Sequence, residues 1–332
     1  MSEYTVYGSL GSPYSLKVRA ALRAKRLSHL WVMMDGARRA EVMGNVKAPV
    51  IPVIQHPDGN WSNDSTPFLL ALDAKGEGRP LLPDDPADRF ACLLIEDMAD
   101  EWVTKAMFHY RWFYGPDADQ LSTWLIFDNS PGATRADIAA FAAEIAKRQI
   151  GRMPIVGCTP ETAPIIEASA RRVLSILDRA ATDGTVFLFG DRVSLADLGL
   201  YGQLWQLRTD PTPAAMMRAD FPYCFRWLEH VDDASGYDGA WTKDAVDNGA
   251  VSALLAMAGD TYLPFLAANA AAQAAGETTF SLEIEGARFE QGVFGYQAKC
   301  LMTLRTHWAE LDADAQARLT AKLGDGAAVL MA

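Results

Sequence analysis

The amino-acid sequence predicts three unlike regions in order: an α/β segment, an all-helical domain and an α+β C-terminal extension. Three observations carry this. Strand-like and helix-like patterns alternate over residues 1–80; strand patterns then nearly vanish for roughly 150 residues; and period-two alternation returns near residue 280. A chain of 332 residues is long enough for two domains and an addition.

The first region begins with "YTVYGS", a short β-rich run ending at Gly8-Ser9. In "SPYSLKVRAALRAKRL", Val18, Ala21, Leu22 and Leu27 recur at helical spacing, which assigns Lys17, Arg19, Arg23, Lys25 and Arg26 to the wet face. "HLWVMMD" reads as a second strand and "APVIPVIQH" as a third, with a loop or a helix between them. A turn at "PDGN", a short strand at Trp61 and a helix at "STPFLLALDAKG" follow. The order predicts a mixed sheet with helices packed on it, spanning residues 1–80. The Pro- and Asp-rich "GRPLLPDDPADRF" marks a linker at 81–88. Residues 89–240 then form helical runs, among them "TAPIIEASARRVLSILDRAAT" and "SLADLGLYGQLWQL". In the extension, 241–332, "TTFSLEIEGARFEQ" alternates Phe280, Leu282 and Ile284 against polar residues, and "EGA" predicts a tight turn into a second strand. Two further helical runs close the chain, the last starting at "DADAQARL".

Composition narrows the function. The formal net charge is −12, which disfavours nucleic acid as a partner, because such binding needs a basic surface. Residues 1–80 carry 10 Lys/Arg against 7 Asp/Glu, a local excess that suits a small anionic ligand. Cys92, Cys158, Cys224 and Cys300 form no CxxC pair and read as buried reduced thiols, while the five histidines show no metal-ligand spacing, so no metal is expected. The N-terminus has no basic-then-apolar signal pattern. The Ala-rich run from Val251 is broken by Asp260 and Pro264 and reads as too polar to cross a bilayer. The expected compartment is the cytoplasm.

Three places carry candidate chemistry. Ser12 stands at an N-cap position with Pro13 as the first helical residue. Capping alone accounts for that pair. A helix start also leaves N–H groups unpaired and favours a nearby anion, so a thiolate there would have its pKa lowered. A shift of two units corresponds to about 2.7 kcal/mol, within reach of a charge-assisted hydrogen bond plus the helix end. In "VIPVI", Pro52 cannot donate to a sheet ladder, so it marks an edge strand or a break, and a cis bond is an economical explanation. In "NDSTPFLLAL", Asp64 and Ser65 begin another helix, a seat for a carboxylate, with Asp64 placed to accept from an ammonium group.

Residues 1 to about 235 resemble a cytosolic glutathione transferase, on "SPYSLKVRAAL", "VIPVI", "NDS", "LLPDDPADR" and "FLFGDRVSLADLGLYGQL". In the last, Ser194 and Asp197 form an S-x-x-D capping box. The resemblance implies a thioredoxin-like N-terminal domain followed by the family's helical domain, with the extension packed upon it. It implies that Ser12 stabilises the glutathione thiolate, with Ser15 and Tyr7 as alternatives; a serine there argues against the thiol-reductase chemistry of cysteine-type classes. Ile51 and Pro52 match the pair whose backbone meets the cysteinyl part, and Asp64 and Ser65 the pair holding the γ-glutamyl head. Val50 stands where many members carry a lysine, leaving Lys47, Arg38 and Arg39 as candidates for the glycyl carboxylate.

A second-substrate pocket is expected from Tyr14 and from the aromatic run "MFHYRWFY", with Tyr110, Phe113 and Tyr114; helix-packing core is the plainer reading of that run. The implied activity is attack of the thiolate on a small hydrophobic electrophile or a peroxide, in a homodimer with a detoxifying role. The competing readings are a binding or scaffold protein that has lost the transfer chemistry, and a hydrolase or isomerase using glutathione as a cofactor.

Overall fold

The computed structural model describes residues 3–332. Its first region is a four-stranded mixed sheet in the order β2-β1-β3-β4, built from β1 (Tyr4–Gly8), β2 (His29–Met33), β3 (Val53–Gln55) and β4 (Trp61–Asn63). Strand β1 lies parallel to β2 and antiparallel to β3, so Val6 pairs with Trp31 on one side and Ile54 on the other. The parallel pair needs a crossover, and α1 (Pro13–Ala24) supplies it. The stretch between the second and third strands forms a helix, α2 (Gly36–Met43), because Asp35 caps it by accepting from the Arg38 amide at 2.8 Å. Helix α3 (Ser65–Ala74) ends the region.

Eight helices follow: α4 (Pro86–Met98), α5 (Thr104–Phe113), α6 (Gly115–Asn129), α7 (Arg135–Ile150), α8 (Ala163–Ala180), α9 (Leu195–Thr209), α10 (Pro211–Asp220) and α11 (Pro222–Asp232). A π-turn at Ala99–Val103 joins α4 to α5, widening the helix where Asp100 and Glu101 sit. Helix α9 is buried on nearly every face and packs against both α1 and α4, so it forms the hub between the two regions. Its start carries the expected capping box. Asp197 accepts from the Ser194 amide at 2.8 Å and the Ser194 hydroxyl at 2.6 Å, and from the Leu188 amide at 3.0 Å.

The extension contributes α12 (Gly249–Met257), α13 (Leu263–Ala274), the hairpin β5 (Thr279–Ile284) and β6 (Ala287–Gly292), then α14 (Gly295–Ala309), α15 (Ala313–Leu323) and α16 (Ala328–Met331). Positive φ at Glu285 (52°) and Gly286 (79°) gives the two-residue turn that a right-handed hairpin favours. The reading of the Ala-rich run from Val251 as too polar to cross a bilayer needs correcting. Helix runs continuously over Gly249–Ala274, because a π-turn at Ala258–Tyr262 shifts the hydrogen-bond register where the proline lacks its donor. This helix is long and apolar enough to cross a membrane, but 61 % of its most apolar window is buried inside the fold. Leu254, Leu255, Phe265 and Leu266 join the same core as the helical domain.

The wet-face assignment on α1 needs correcting. Lys17 and Lys25 are fully buried. Lys17 is paired with Glu96 and, at 2.6 Å, with Asp100, while Lys25 meets Asp73 and donates to the Arg79 carbonyl at 2.8 Å. Arg23 and Arg19 reach Asp232 at 2.9 and 3.3 Å, and Arg26 and Arg79 reach Asp238 at 2.8 and 2.9 Å. The basic excess of the first 80 residues is therefore spent largely on the acidic helical domain. It does not advertise an anionic ligand. All four cysteines are free and buried.

Candidate functional site

The turn between β1 and α1 is held from below. Arg111 donates to the Gly11 carbonyl at 3.0 Å, and Gln206 to the Leu10 carbonyl at 3.1 Å. Arg111 is itself fixed by Asp210 at 3.0 Å and by the Gln206 side-chain oxygen at 2.6 Å. Arg111 and Asp210 are both buried; each neutralises the other, and Arg111 has further acceptors in Gly11 and Gln206. On this pinned turn Ser12 caps α1, its Oγ accepting from the Ser15 amide at 3.3 Å. A hydroxyl that accepts still has its proton to donate. Ser15 is fully buried, its Oγ has no partner among the described residues, and it is not among the residues lining the clefts described below. Tyr7 is stacked on Trp61 with ring centres 5.7 Å apart.

A cleft of about 450 Å³ opens beside this turn, between the start of α3, the segment before β3, the α4 π-turn and α14. Ile51, Pro52, Asp64 and Ser65 all line it, as does Tyr14. The Ile51–Pro52 peptide is cis. Lys47 and Ser12 are not among the lining residues; Ala48 and Val50 are. Arg38 is tied to Asp35, and Arg39 is exposed on α2. Asp64 has φ +77°, uncommon for a residue with a Cβ, and makes no capping bond to α3. Its carboxylate is thereby turned away from its own helix, where Oδ2 accepts from the Tyr296 hydroxyl at 3.1 Å.

The cleft floor is a buried polar network. Thr66 donates to Glu96 at 2.6 Å, Lys17 donates to Thr66 at 3.0 Å, Tyr14 donates to the Asp100 carbonyl at 3.0 Å, and Gln203 reaches Asp100 at 3.4 Å. Burial raises the carboxyl pKa values here. Asp97 and Asp100 are each pushed up to about 6, and Glu101 to about 8, where Asp97 and Asp100 add to the effect of desolvation. Lys17 moves up despite its burial, because Asp100 and Glu96 stabilise its charge. Among the described residues, no three His, Cys, Asp or Glu side chains are grouped to hold a metal ion.

The aromatic run of α5 does not join this cleft, and the second-substrate assignment of Tyr110, Phe113 and Tyr114 is corrected. These side chains pack on one another and on His109. Tyr110 and Tyr114 are stacked at 5.9 Å, Tyr114 donates to Glu167 at 2.6 Å, and the Tyr110 hydroxyl faces the Met216 sulfur at 3.7 Å. Tyr110 is buried between α5 and α10 and Tyr114 is held by Glu167 of α8, while Phe113 stays 39 % exposed one turn along the same face. Tyr14, assigned with them, lines the polar cleft instead. A different apolar cleft, about 370 Å³, is lined by Leu10, Gly11, Leu121, Trp124, Leu125 and Trp205, among others. Sequence reasoning missed it. Its signal was "LSTWLIF", where Leu121, Trp124 and Leu125 share a helical face and Trp124 stays 47 % exposed. Ser12 lies on the short span between Gly11, which lines the apolar cleft, and Tyr14, which lines the polar one.

Residues 6–80 match the glutathione S-transferase N-terminal domain family, and residues 143–230 the glutathione S-transferase C-terminal domain family. No curated protein matches the chain. Among solved structures, a glutathione S-transferase from Methylobacterium radiotolerans, in complex with glutathione sulfonate, is 22 % identical, with a TM-score of 0.42 over 72 % of this chain and 96 % of that one. A beta-etherase from Sphingobium sp. strain SYK-6 is 16 % identical, with a TM-score of 0.49 over 76 % and 98 %. The nitrogen regulation fragment of the yeast prion protein Ure2p is 19 % identical, with a TM-score of 0.41 over 76 % and 96 %. Likenesses this distant carry neither substrate nor activity to this chain. With both domain families matched in order, on a thioredoxin-like sheet followed by a helical domain, the chain belongs to the glutathione S-transferase family.

Proposed function

We propose that the chain is a glutathione transferase acting on a small apolar electrophile. The observation that carries this reading is the convergence of Ile51, Pro52, Asp64 and Ser65 on one cleft of about 450 Å³, a volume suited to a small ligand. Glutathione lies along the Ile51–Pro52 edge with its γ-glutamyl head at Asp64 and Ser65. Its sulfur reaches the turn at Ser12, whose free hydroxyl proton and helix start favour the thiolate. The electrophile takes the apolar cleft beyond Gly11. There the sulfur lone pair forms the new S–C bond as the leaving group departs with its bonding electrons.

The test is conjugation of glutathione to an aryl halide, together with retention on immobilised glutathione. Ser12→Ala is expected to keep retention and lose about 100-fold in turnover, as expected for a two-unit change in thiol pKa. Ser15→Ala leaves turnover intact. Failure of wild type to bind millimolar glutathione sinks the reading. One observation favours a second reading, binding without transfer: Ser12 Oγ is engaged as a helix cap and does not line the cleft. Retention without turnover across several electrophiles would select it.

A further inference from the structure

The cleft contains charges that its own architecture does not use. Asp97 accepts from the Tyr262 hydroxyl at 2.6 Å, and Asp100 is paired with Lys17. Asp64, by contrast, accepts only the Tyr296 hydroxyl on Oδ2 and makes no ion pair among the described residues. Lys299 is the one cationic side chain among the lining residues and likewise makes no ion pair among the described residues. Its Nζ is 5.7 Å from the centre of the Tyr296 ring, one helical turn away on α14. An unspent carboxylate and an unspent ammonium thus share one rim, held together by a tyrosine that touches the first and stacks under the second. Such a pair matches a zwitterion, whose ammonium seeks Asp64 and whose carboxylate seeks Lys299.

We propose that Tyr296 and Lys299, both from the C-terminal extension, complete the ligand cleft as a reader of an α-amino-acid head group. Lys299 binds the head's carboxylate; Tyr296 is a positioning residue that aims Asp64 at its ammonium. The inference rests on the glutathione reading and adds to it a role for the extension: recognition of the γ-glutamyl end by the same chain that supplies the sheet. It also supplies a cation to a cleft in which Val50 offers none.

The experiment is calorimetric titration of the full chain with glutathione and with cysteinylglycine, which lacks the γ-glutamyl head. Lys299→Met is expected to weaken glutathione about tenfold, near 1.4 kcal/mol, with cysteinylglycine unchanged. Lys299→Arg retains the affinity, because the positive charge is kept. Tyr296→Phe weakens glutathione several-fold, raises its KM in the conjugation assay without lowering kcat, and spares cysteinylglycine. Both positions are exposed, so these variants fold. Glutathione affinity unchanged in Lys299→Met overturns the inference and leaves the transferase reading standing. Equal weakening of both probes also overturns it, as a general distortion of the cleft. Absence of wild-type binding to glutathione overturns the transferase reading and this one with it.

Discussion

Glu101 lines the cleft from the α4 π-turn, and its burial beside Asp97 and Asp100 holds its pKa near 8. Between the ordinary carboxyl value of 4.5 and about 8, the folded protein keeps a proton that the unfolded chain has released. The stability this group contributes is therefore complete below 4.5 and drains away as the pH rises through 8. Glu101→Gln mimics the protonated form. Its urea midpoint should match wild type at pH 5 and exceed it at pH 8; equal differences at both values would refute the assignment. Comparison with wild type is essential, because burial lowers the His56 and His109 pKa values, which oppose this trend near neutrality.

Elements in this fold are joined by close backbone approaches as well as by side chains. The π-turn at Ala258–Tyr262 meets the 3-10 turn at Gly324–Ala327 through Gly259 and Gly326. A Cβ on Gly259 would collide with the Leu323 carbonyl, and one on Gly326 with the backbone of Gly259. Neither obstacle is a flexible side chain. Gly259→Ala therefore has to move the last helices, at a cost of about 1–3 kcal/mol. The expected readout is a lower melting temperature with earlier proteolytic loss of the C-terminal helices. Gly276→Ala is a poor control despite its open surroundings, because its φ of 74° is itself unfavourable for a side chain.

Across the whole molecule, Lys17 is the strut between the sheet region and the helical domain. Removing it by Lys17→Met leaves Glu96 and Asp100 buried without their cation, and the loss should be about 3–5 kcal/mol at pH 8. At pH 5 the loss should be smaller, since Asp100, at about 6, is then largely protonated and Glu96 is also raised. Chemical denaturation at the two pH values checks this. A pH-independent loss would mean that Lys17 matters for packing alone. The extension is part of the same molecule-wide core: Phe289 and Gln291 of β6 surround the buried Lys105, which burial lowers to about 8.

What the sequence determined by itself was local. Pro13 after Ser12, the Ser194–Asp197 box and the alternation of Phe280, Leu282 and Ile284 each specify a helix start or a strand through bonds spanning a few residues, and each element formed as read. The pairing of Ile51–Pro52 with Asp64–Ser65 was legible too, through family resemblance, because both motifs flank one short hairpin. Only the tertiary structure decided which charges on α1 were wet, since their partners Glu96, Asp100 and Asp232 lie 79 to 213 residues away. It likewise decided that Tyr110 packs inward, that Tyr114 is held by Glu167 of α8, and that Tyr296 meets Asp64 across 232 residues. Burial and ion pairing are properties of the assembled surface, and no local pattern encodes which distant carboxylate a lysine will find.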